Sequence, residues 1–270
     1  MSNIMSVFSY SFMTNAFVCG ILISICAALL GVILVLKRYA MVGDGLSHVG
    51  FGAMSIAAVT GLTPLSVAIP VVVIAALILM RMSSNAKIKG DAAIGLLSTG
   101  ALTFGIIIVS VAGVDTDLNS YLFGSILSLR KSDVYLSVGL CLTVVILFGV
   151  FYNKIFSVTF VENFSRASGI KTGMYNSLIA ALSAVTIVLG MRMMGTLLIS
   201  ALIIFPSLTA MRIFKSFKKV CIASVIIAIF CFVCGMLVSF VFSTPAGATV
   251  VAINILLFLI FSILGFIVRF

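Results

Sequence analysis

The residues of this chain best suited to bind a metal ion are an aspartate and a histidine four positions apart. They lie in segment 43–48, Gly-Asp-Gly-Leu-Ser-His, and His48 is the single histidine among the 270 residues. Residues four apart share one face of a helix, with Cβ atoms about 5–6 Å apart, so a helix here would present Asp44 and His48 together. A carboxylate and an imidazole are a normal ligand pair for Zn²⁺ and also suit Mn²⁺. The alternative is structural, with Asp44 as a helix N-cap and His48 bonded to a backbone carbonyl.

One chain supplies too few ligands of this kind to surround a metal ion. A zinc site usually has four ligands, and Asp44 and His48 are two. A two-fold dimer would offer two aspartates and two histidines around its axis, enough for a shared cation site. Such a site would bind weakly and empty readily, as transport requires.

The composition of the chain excludes a water-soluble protein. Hydrophobic residues make up 63% of it and charged residues 8%, against roughly 45–50% and about 25% in soluble domains. We therefore predict an all-α polytopic membrane protein, with Asp44 and His48 at a membrane boundary where unpaired ionisable groups are costly. The net charge of +10 is then explained by helix orientation and anionic lipid, with no nucleic acid partner.

No enzymatic machinery is recognisable in the sequence. A phosphate-binding loop of the form G-x-x-x-x-G-K-[ST] is missing, so the chain is not expected to hydrolyse ATP by that route. An H-E-x-x-H motif is missing as well, and one histidine is too few for that type of zinc protease site. We predict a transporter with no catalytic residues and no permanently bound cofactor.

Apolar blocks separated by polar breaks predict nine transmembrane helices. Eight is the alternative, because only Met193 and Met194 separate the sixth block from the seventh. Each span needs about 20 residues, so the whole of 1–270 is predicted to be a single transmembrane domain. The approximate limits of the nine spans are 13–36, 44–60, 65–82, 91–112, 134–152, 174–192, 195–211, 219–241 and 247–268.

The distribution of lysine and arginine predicts an N-terminus outside and a C-terminus in the cytoplasm. In that topology thirteen of the 16 basic residues face the cytoplasm, and the three that face out are Arg130, Lys131 and Arg192. The opposite topology would invert this asymmetry. The loops at 83–90, 153–173 and 212–219 are then cytoplasmic, and the loop at 113–133 is outside.

The outer loop at 113–133 contains a stretch that is neither a span nor an ordinary loop. Residues 115–129 start and end outside, but their middle is apolar. A short re-entrant or surface helix at about 118–129 explains this pattern. Asp115 and Asp117, which precede it, are candidates to attract cations at an entrance, and a solvated loop is the alternative.

The longest polar loop, 153–173, is amphipathic. Its apolar residues recur close to helical spacing between Phe160 and Ala167, and Gly169 is a candidate helix stop. The pattern predicts a short helix over 160–169. That helix either lies on the lipid surface or docks to a cytoplasmic partner.

Four stretches of the sequence together resemble a known family. They are Leu-Val-Leu-Lys-Arg-Tyr-Ala-Met-Val-Gly-Asp-Gly-Leu-Ser-His at 34–48, Lys-Gly-Asp-Ala-Ala-Ile-Gly at 89–95, Ser-Tyr-Leu-Phe-Gly-Ser-Ile-Leu at 120–127, and Gly-Thr-Leu-Leu-Ile-Ser-Ala-Leu-Ile-Ile-Phe-Pro-Ser-Leu-Thr-Ala at 195–210. In this order, over nearly the whole chain, they resemble the membrane permeases of bacterial ABC importers for zinc and manganese. Taken as a whole, the sequence resembles the zinc-uptake members of this family most.

The resemblance implies a type II ABC importer permease in a bacterial plasma (inner) membrane, related in fold to the vitamin B12 and siderophore permeases. It implies a homodimer, two cytoplasmic ATPase subunits and an extracytoplasmic metal-binding protein. Zn²⁺ would be the transported substrate, and Mn²⁺ is the leading alternative. A passive cation channel that needs no ATPase is the alternative from a different class.

The resemblance also implies roles for particular residues. Asp44 and His48 match the metal-coordinating pair of the family. The loop around Glu162 matches the helix that couples the permease to its ATPase, which assigns this role to Phe160, Glu162, Phe164 and Gly169. Family loops often carry two or three adjacent acids, whereas Glu162 stands alone here. The contact with the ATPase should therefore depend more on the aromatic side chains than on charge.

Overall fold

The structure, a computed structural model, describes residues 11–84, 90–113, 124 and 131–267. These residues form helices joined by short connections, and no strand occurs among them, which confirms the all-α prediction. In chain order the helices are α1 (Ser11–Leu36), α2 (Val42–Thr60), α3 (Pro64–Ser84), α4 (Gly90–Ala112), α5 (Lys131–Val150), α6 (Tyr152–Phe160), α7 (Glu162–Ala167), α8 (Thr172–Met194), α9 (Thr196–Ile213), α10 (Phe217–Phe242) and α11 (Ala246–Ile267).

Eight of the described helices are long and apolar enough to cross a membrane, namely every long helix except α2. With 19 residues, α2 is about 28 Å long, close to the thickness of the hydrocarbon core. It is less apolar than the others because it contains Asp44, Ser47 and His48. It packs against α3, α4, α8 and α9, and most of its side chains are buried. Other helices cover most of α2, so its polar residues do not prevent it from running beside the other spans.

The predicted break between the sixth and seventh spans is confirmed. Helix α8 ends at Met194 and α9 begins at Thr196. Gly195, between them, has a φ of +89°, a conformation that favours glycine. The chain therefore turns at Gly195, and the two segments are separate helices.

Glycines allow α2 to lie very close to α4. A Cβ atom on Gly105 would stand 2.9 Å from the Cα atom of Gly52, and one on Gly52 would stand 2.6 Å from the carbonyl oxygen of Ala101. A larger side chain at either position would push the two helices apart. This contact packs the middle of α2, the helix that carries the candidate metal ligands, closely against α4.

The topology stays a prediction. Single cysteines introduced into two of the segments that connect the helices would test it. Leu62 lies between α2 and α3 and is 57% exposed, and Ser168 follows α7 and is exposed. We expect a membrane-impermeant thiol reagent added outside to label Leu62→Cys and to leave Ser168→Cys unlabelled until the membrane is permeabilised. A probe at Ser165 would be uninformative, because that side chain is fully buried.

The unmodified chain is the control for this labelling. Five of its six cysteines are buried, and Cys234 is half-buried, so the background should be low. Labelling of Ser168→Cys from outside, with Leu62→Cys protected, would contradict the whole topology.

Candidate functional site

Asp44 and His48 lie on one face of α2, as their spacing predicts. Asp44 Oδ2 is 3.7 Å from His48 Nε2. The side chain of Asp44 is 48% exposed and that of His48 is 24% exposed, whereas most of α2 is buried. The two potential ligands are therefore together on a partly open face of an otherwise buried helix.

The structural alternative, in which Asp44 caps α2, is not found. The N-cap residue is Met41, and no side chain caps the helix. Asp44 lies in the first turn, where the helix dipole stabilises a carboxylate. His48 Nδ1 is buried and has no hydrogen-bond partner among the described residues. A buried nitrogen without a partner is costly, so no backbone carbonyl satisfies this histidine in the way that the structural alternative requires.

Two glycines set the position of the first turn of α2. A Cβ atom on Gly43 would stand 3.1 Å from Ile203 Cδ1 of α9, and one on Gly45 would stand 2.5 Å from Ile94 Cγ2 of α4. The backbone on either side of Asp44 is thus held between α9 and α4. A shift of this turn would move the carboxylate directly.

One protomer does not complete a metal site at this pair. In the part of the chain that the structure describes, no group of three or more histidine, cysteine, aspartate or glutamate side chains is placed to hold a metal ion. Two ligands leave a four-coordinate ion half surrounded. Water or a second copy of the chain has to supply the rest.

The predicted polar loop 153–173 is largely helical. Its first part belongs to α6, and the predicted helix over 160–169 is in fact the shorter α7, because the chain breaks at Val161 with φ −137°. The helix stop is confirmed, since α7 ends at Ala167 and Gly169 has a left-handed φ of +81°. The break leaves Phe160 as the last residue of α6.

An apolar patch made of Phe160, Val161 and Phe164 lies on the surface beside α7. These side chains are 51%, 53% and 66% exposed. The ring of Phe160 contacts Phe156 and Phe217, with centroid distances of 4.9 and 5.9 Å. An exposed patch of this composition is typical of an interaction site.

Glu162 is engaged by other parts of the chain. Its Oε2 atom is 3.3 Å from Lys37 Nζ, and its Oε1 atom accepts a hydrogen bond of 2.9 Å from Asn176 Nδ2. Lys37 also donates a hydrogen bond to Asn176 Oδ1. Burial lowers the pKa of Lys37, and the charge of Glu162 opposes this shift.

The sequence alone did not predict this set of three side chains. It shows Lys37 as one of the basic residues that orient the helices and as part of the stretch 34–48, and nothing in it marks Asn176. The available signal was the position of Lys37, directly after the end of an apolar span. That signal shows a lysine near a membrane boundary but does not show which residues lie beside it.

The predicted cation entrance, Asp115 and Asp117, lies outside the described residues. So does the predicted helix at about 118–129, apart from Gly124. A Cβ atom on Gly124 would stand 2.3 Å from the carbonyl carbon of Met194, so this residue lies against the connection between α8 and α9.

Residues 9–265 match the ABC 3 transport family. The chain belongs to this family. The manganese import system permease protein ScaB of Streptococcus gordonii is 30% identical to it over 93% of this chain and 90% of that protein. The manganese transport system membrane protein MntC of Halalkalibacterium halodurans is 28% identical over 93% and 86% of the two chains.

A solved structure, PsaBC from Streptococcus pneumoniae in complex with Fab, contains a chain similar to this ABC 3 protein. The TM-score is 0.85 at 29% sequence identity, over 96% of this chain and 94% of that chain. Together with the family match, this confirms the predicted resemblance and fold. The chain is a multi-pass membrane protein, an ABC importer permease for a metal ion, and a transporter rather than an enzyme.

Proposed function

We propose that this ABC 3 permease imports manganese across a bacterial plasma membrane. The observation that carries the proposal is the similarity, over 93% of the chain, to ScaB and MntC, which are named as membrane proteins of manganese import and transport systems. The donor set is compatible with it, because a carboxylate suits Mn²⁺, but the imidazole suits Zn²⁺ and the pair does not choose between the two metals. Zinc, which the sequence analysis favoured, is the competing substrate, and the relatives support it less.

In this proposal the transported cation passes between Asp44 and His48 of two protomers. The partly open face of the pair, on which His48 Nε2 lies 3.7 Å from Asp44 Oδ2, supports this role. The carboxylates would lower the cost of bringing a dication into the membrane. Two copies of the pair would supply four ligands, which is why the proposal includes a homodimer.

ATP hydrolysis belongs, in this proposal, to two separate cytoplasmic ATPase subunits. An extracytoplasmic metal-binding protein would deliver the cation, and Asp115 and Asp117 stay candidates for the entrance. We assign the ATPase contact to α7 and to the apolar patch. The exposed aromatic and aliphatic side chains of the patch would be stabilised by contact with another protein. Gly169 would end the docking helix.

Uptake of Mn²⁺ and Zn²⁺ measured in parallel tests the substrate. The permease, its ATPase and its metal-binding protein would be reconstituted in liposomes and supplied with ATP. We expect ATP-dependent accumulation of Mn²⁺ at a lower metal concentration than Zn²⁺, because the relatives that carry the proposal are named for manganese. The ligand set by itself does not give this order, since a set of nitrogen and oxygen ligands binds Zn²⁺ more tightly than Mn²⁺.

A non-hydrolysable ATP analogue is the control for this experiment. Uptake that persists with the analogue would indicate a passive channel and contradict the proposal. Uptake of Zn²⁺ without uptake of Mn²⁺ would restore the zinc assignment.

A further inference from the structure

A nearly buried lysine joins three separate parts of the chain. Lys37 follows α1 directly, and its side chain is 9% exposed. It contacts both Glu162 of α7, at 3.3 Å, and Asn176 of α8, and the 2.9 Å bond between these two closes a ring of three side chains. A lysine at this depth is rare unless it is paired. Removing one partner would leave an uncompensated charge.

This ring is a principal attachment of α7 to the rest of the protein. Of the six residues in α7, Ser165 is the one that is buried. Helix α7 therefore has little apolar contact with the neighbouring helices. The ion pair and hydrogen bonds of Glu162 connect it instead to α8 and to the end of α1.

The connection from Lys37 to the metal pair is short and held by backbone hydrogen bonds. Asp44 is seven positions after Lys37, and Arg38 turns the chain with a φ of +63°. Three bonds hold the connection, from Tyr39 N–H to Leu34 O (2.8 Å), from Val42 N–H to Tyr39 O (3.1 Å) and from Gly45 N–H to Met41 O (3.0 Å). Because these bonds hold the connection together, a displacement of Lys37 would also move the first turn of α2.

We propose that Lys37 is a positioning residue that links movement of α7 to the Asp44–His48 pair. When the ATPase displaces α7, the ring of Lys37, Glu162 and Asn176 carries the α1–α2 connection with it and shifts the turn that holds Asp44. The inference rests on the proposed function, because it takes α7 as the ATPase contact. An ionic link suits this task because Lys37 is nearly buried and would be left as an uncompensated charge if it parted from Glu162, which is itself 44% exposed.

Replacing the lysine in the reconstituted complex tests the link. Lys37→Met removes the charge and keeps the length of the side chain. We expect the number of metal ions imported per ATP hydrolysed to fall by about fivefold or more, while the ATPase stays bound. A residue with a structural role alone would lower the yield of the complex and leave this ratio unchanged.

An exchange of charges distinguishes the link from a general effect of the mutation. The double variant Lys37→Glu with Glu162→Lys should restore most of the ratio, because the amide of Asn176 both donates and accepts hydrogen bonds and can serve either arrangement. Lys219→Met, at an exposed lysine in the first turn of α10, is the matched control and should keep the ratio of the unmodified complex.

An unchanged ratio in Lys37→Met, or a charge exchange that restores nothing, would overturn the inference. If Lys37→Met does not assemble, Glu162→Gln takes its place, because it keeps the shape of the side chain, and an unchanged ratio there would overturn the inference equally. Failure of the unmodified complex to import any divalent metal would instead defeat the proposed function. If Phe164→Asp uncouples the complex while Lys37→Met does not, the inference alone fails.

Discussion

Asp44→Asn and His48→Ala should each abolish metal uptake or slow it by at least about 100-fold, while the permease still assembles with its ATPase. Even the hydrogen-bond partners of metal ligands cost about 10–100-fold in affinity or activity when they are mutated, and a ligand itself should cost more. Asparagine keeps the size and hydrogen bonding of Asp44 but removes the charge that offsets the entry of a dication. Alanine removes the nitrogen donor of His48 altogether.

Transport and stability measured together separate a metal ligand from a structural histidine. His48 Nδ1 is buried without a partner among the described residues, so His48→Ala removes an unsatisfied group. We expect the unfolding temperature of the purified permease to stay the same or rise. A histidine that stabilises the fold would give the opposite result.

The control for both variants is Thr60→Ala, at the far end of the same helix. Thr60 is exposed, and its hydroxyl donates a hydrogen bond to the carbonyl of Ile56. This variant should import metal at the rate of the unmodified protein. If Asp44→Asn and His48→Ala also transport at that rate, the pair is structural and the proposed site is wrong.

Phe164→Asp should release the ATPase or uncouple ATP hydrolysis from transport. The Phe164 side chain is 66% exposed, so its replacement should not affect folding of the permease. A buried aromatic anchor at an interface contributes about 2 kcal/mol or more, which corresponds to about 30-fold in affinity. An aspartate there would lose that contact and also place a charge against the partner.

Two further variants show which property of the side chain matters. Phe164→Leu keeps an apolar contact and should retain most of the binding. Ser168→Asp adds the same charge at an exposed position of the same loop and should have a smaller effect. Co-purification of the ATPase and ATP hydrolysis per metal ion would be measured for each. Normal complex yield and normal transport in Phe164→Asp would favour the alternative, in which α7 lies on the lipid surface.

Local properties of the sequence determined the membrane embedding and the positions of the nine long helices found among the described residues. Hydrophobic blocks of about 20 residues mark spans wherever they occur, and the predicted limits lie within a few residues of the helices found. The shared face of Asp44 and His48 is equally local, because a spacing of four residues sets it in any helix.

The shape of the docking loop was predicted less well. One helix over 160–169 was expected, whereas the chain forms α6 and α7 with a break at Val161. The ring of Phe160 contacts Phe217, which is 57 positions away in the sequence. The hydrophobic periodicity within the loop does not depend on that contact, so it could not predict the break at Val161.

Only the tertiary structure brings Lys37 together with Glu162 and Asn176, which are 125 and 139 positions further along the chain. The sequence by itself shows a basic residue after a span, an acid in a loop and an amide in the next span. It does not show that α1, α7 and α8 meet there, because packing between helices depends on complementary surfaces of distant segments rather than on spacing within one segment. The sequence shows that Asp44 and His48 are neighbours on one helix. The ion pair of Lys37 and Glu162, which we propose to link α7 to those ligands, forms only when the helices pack together.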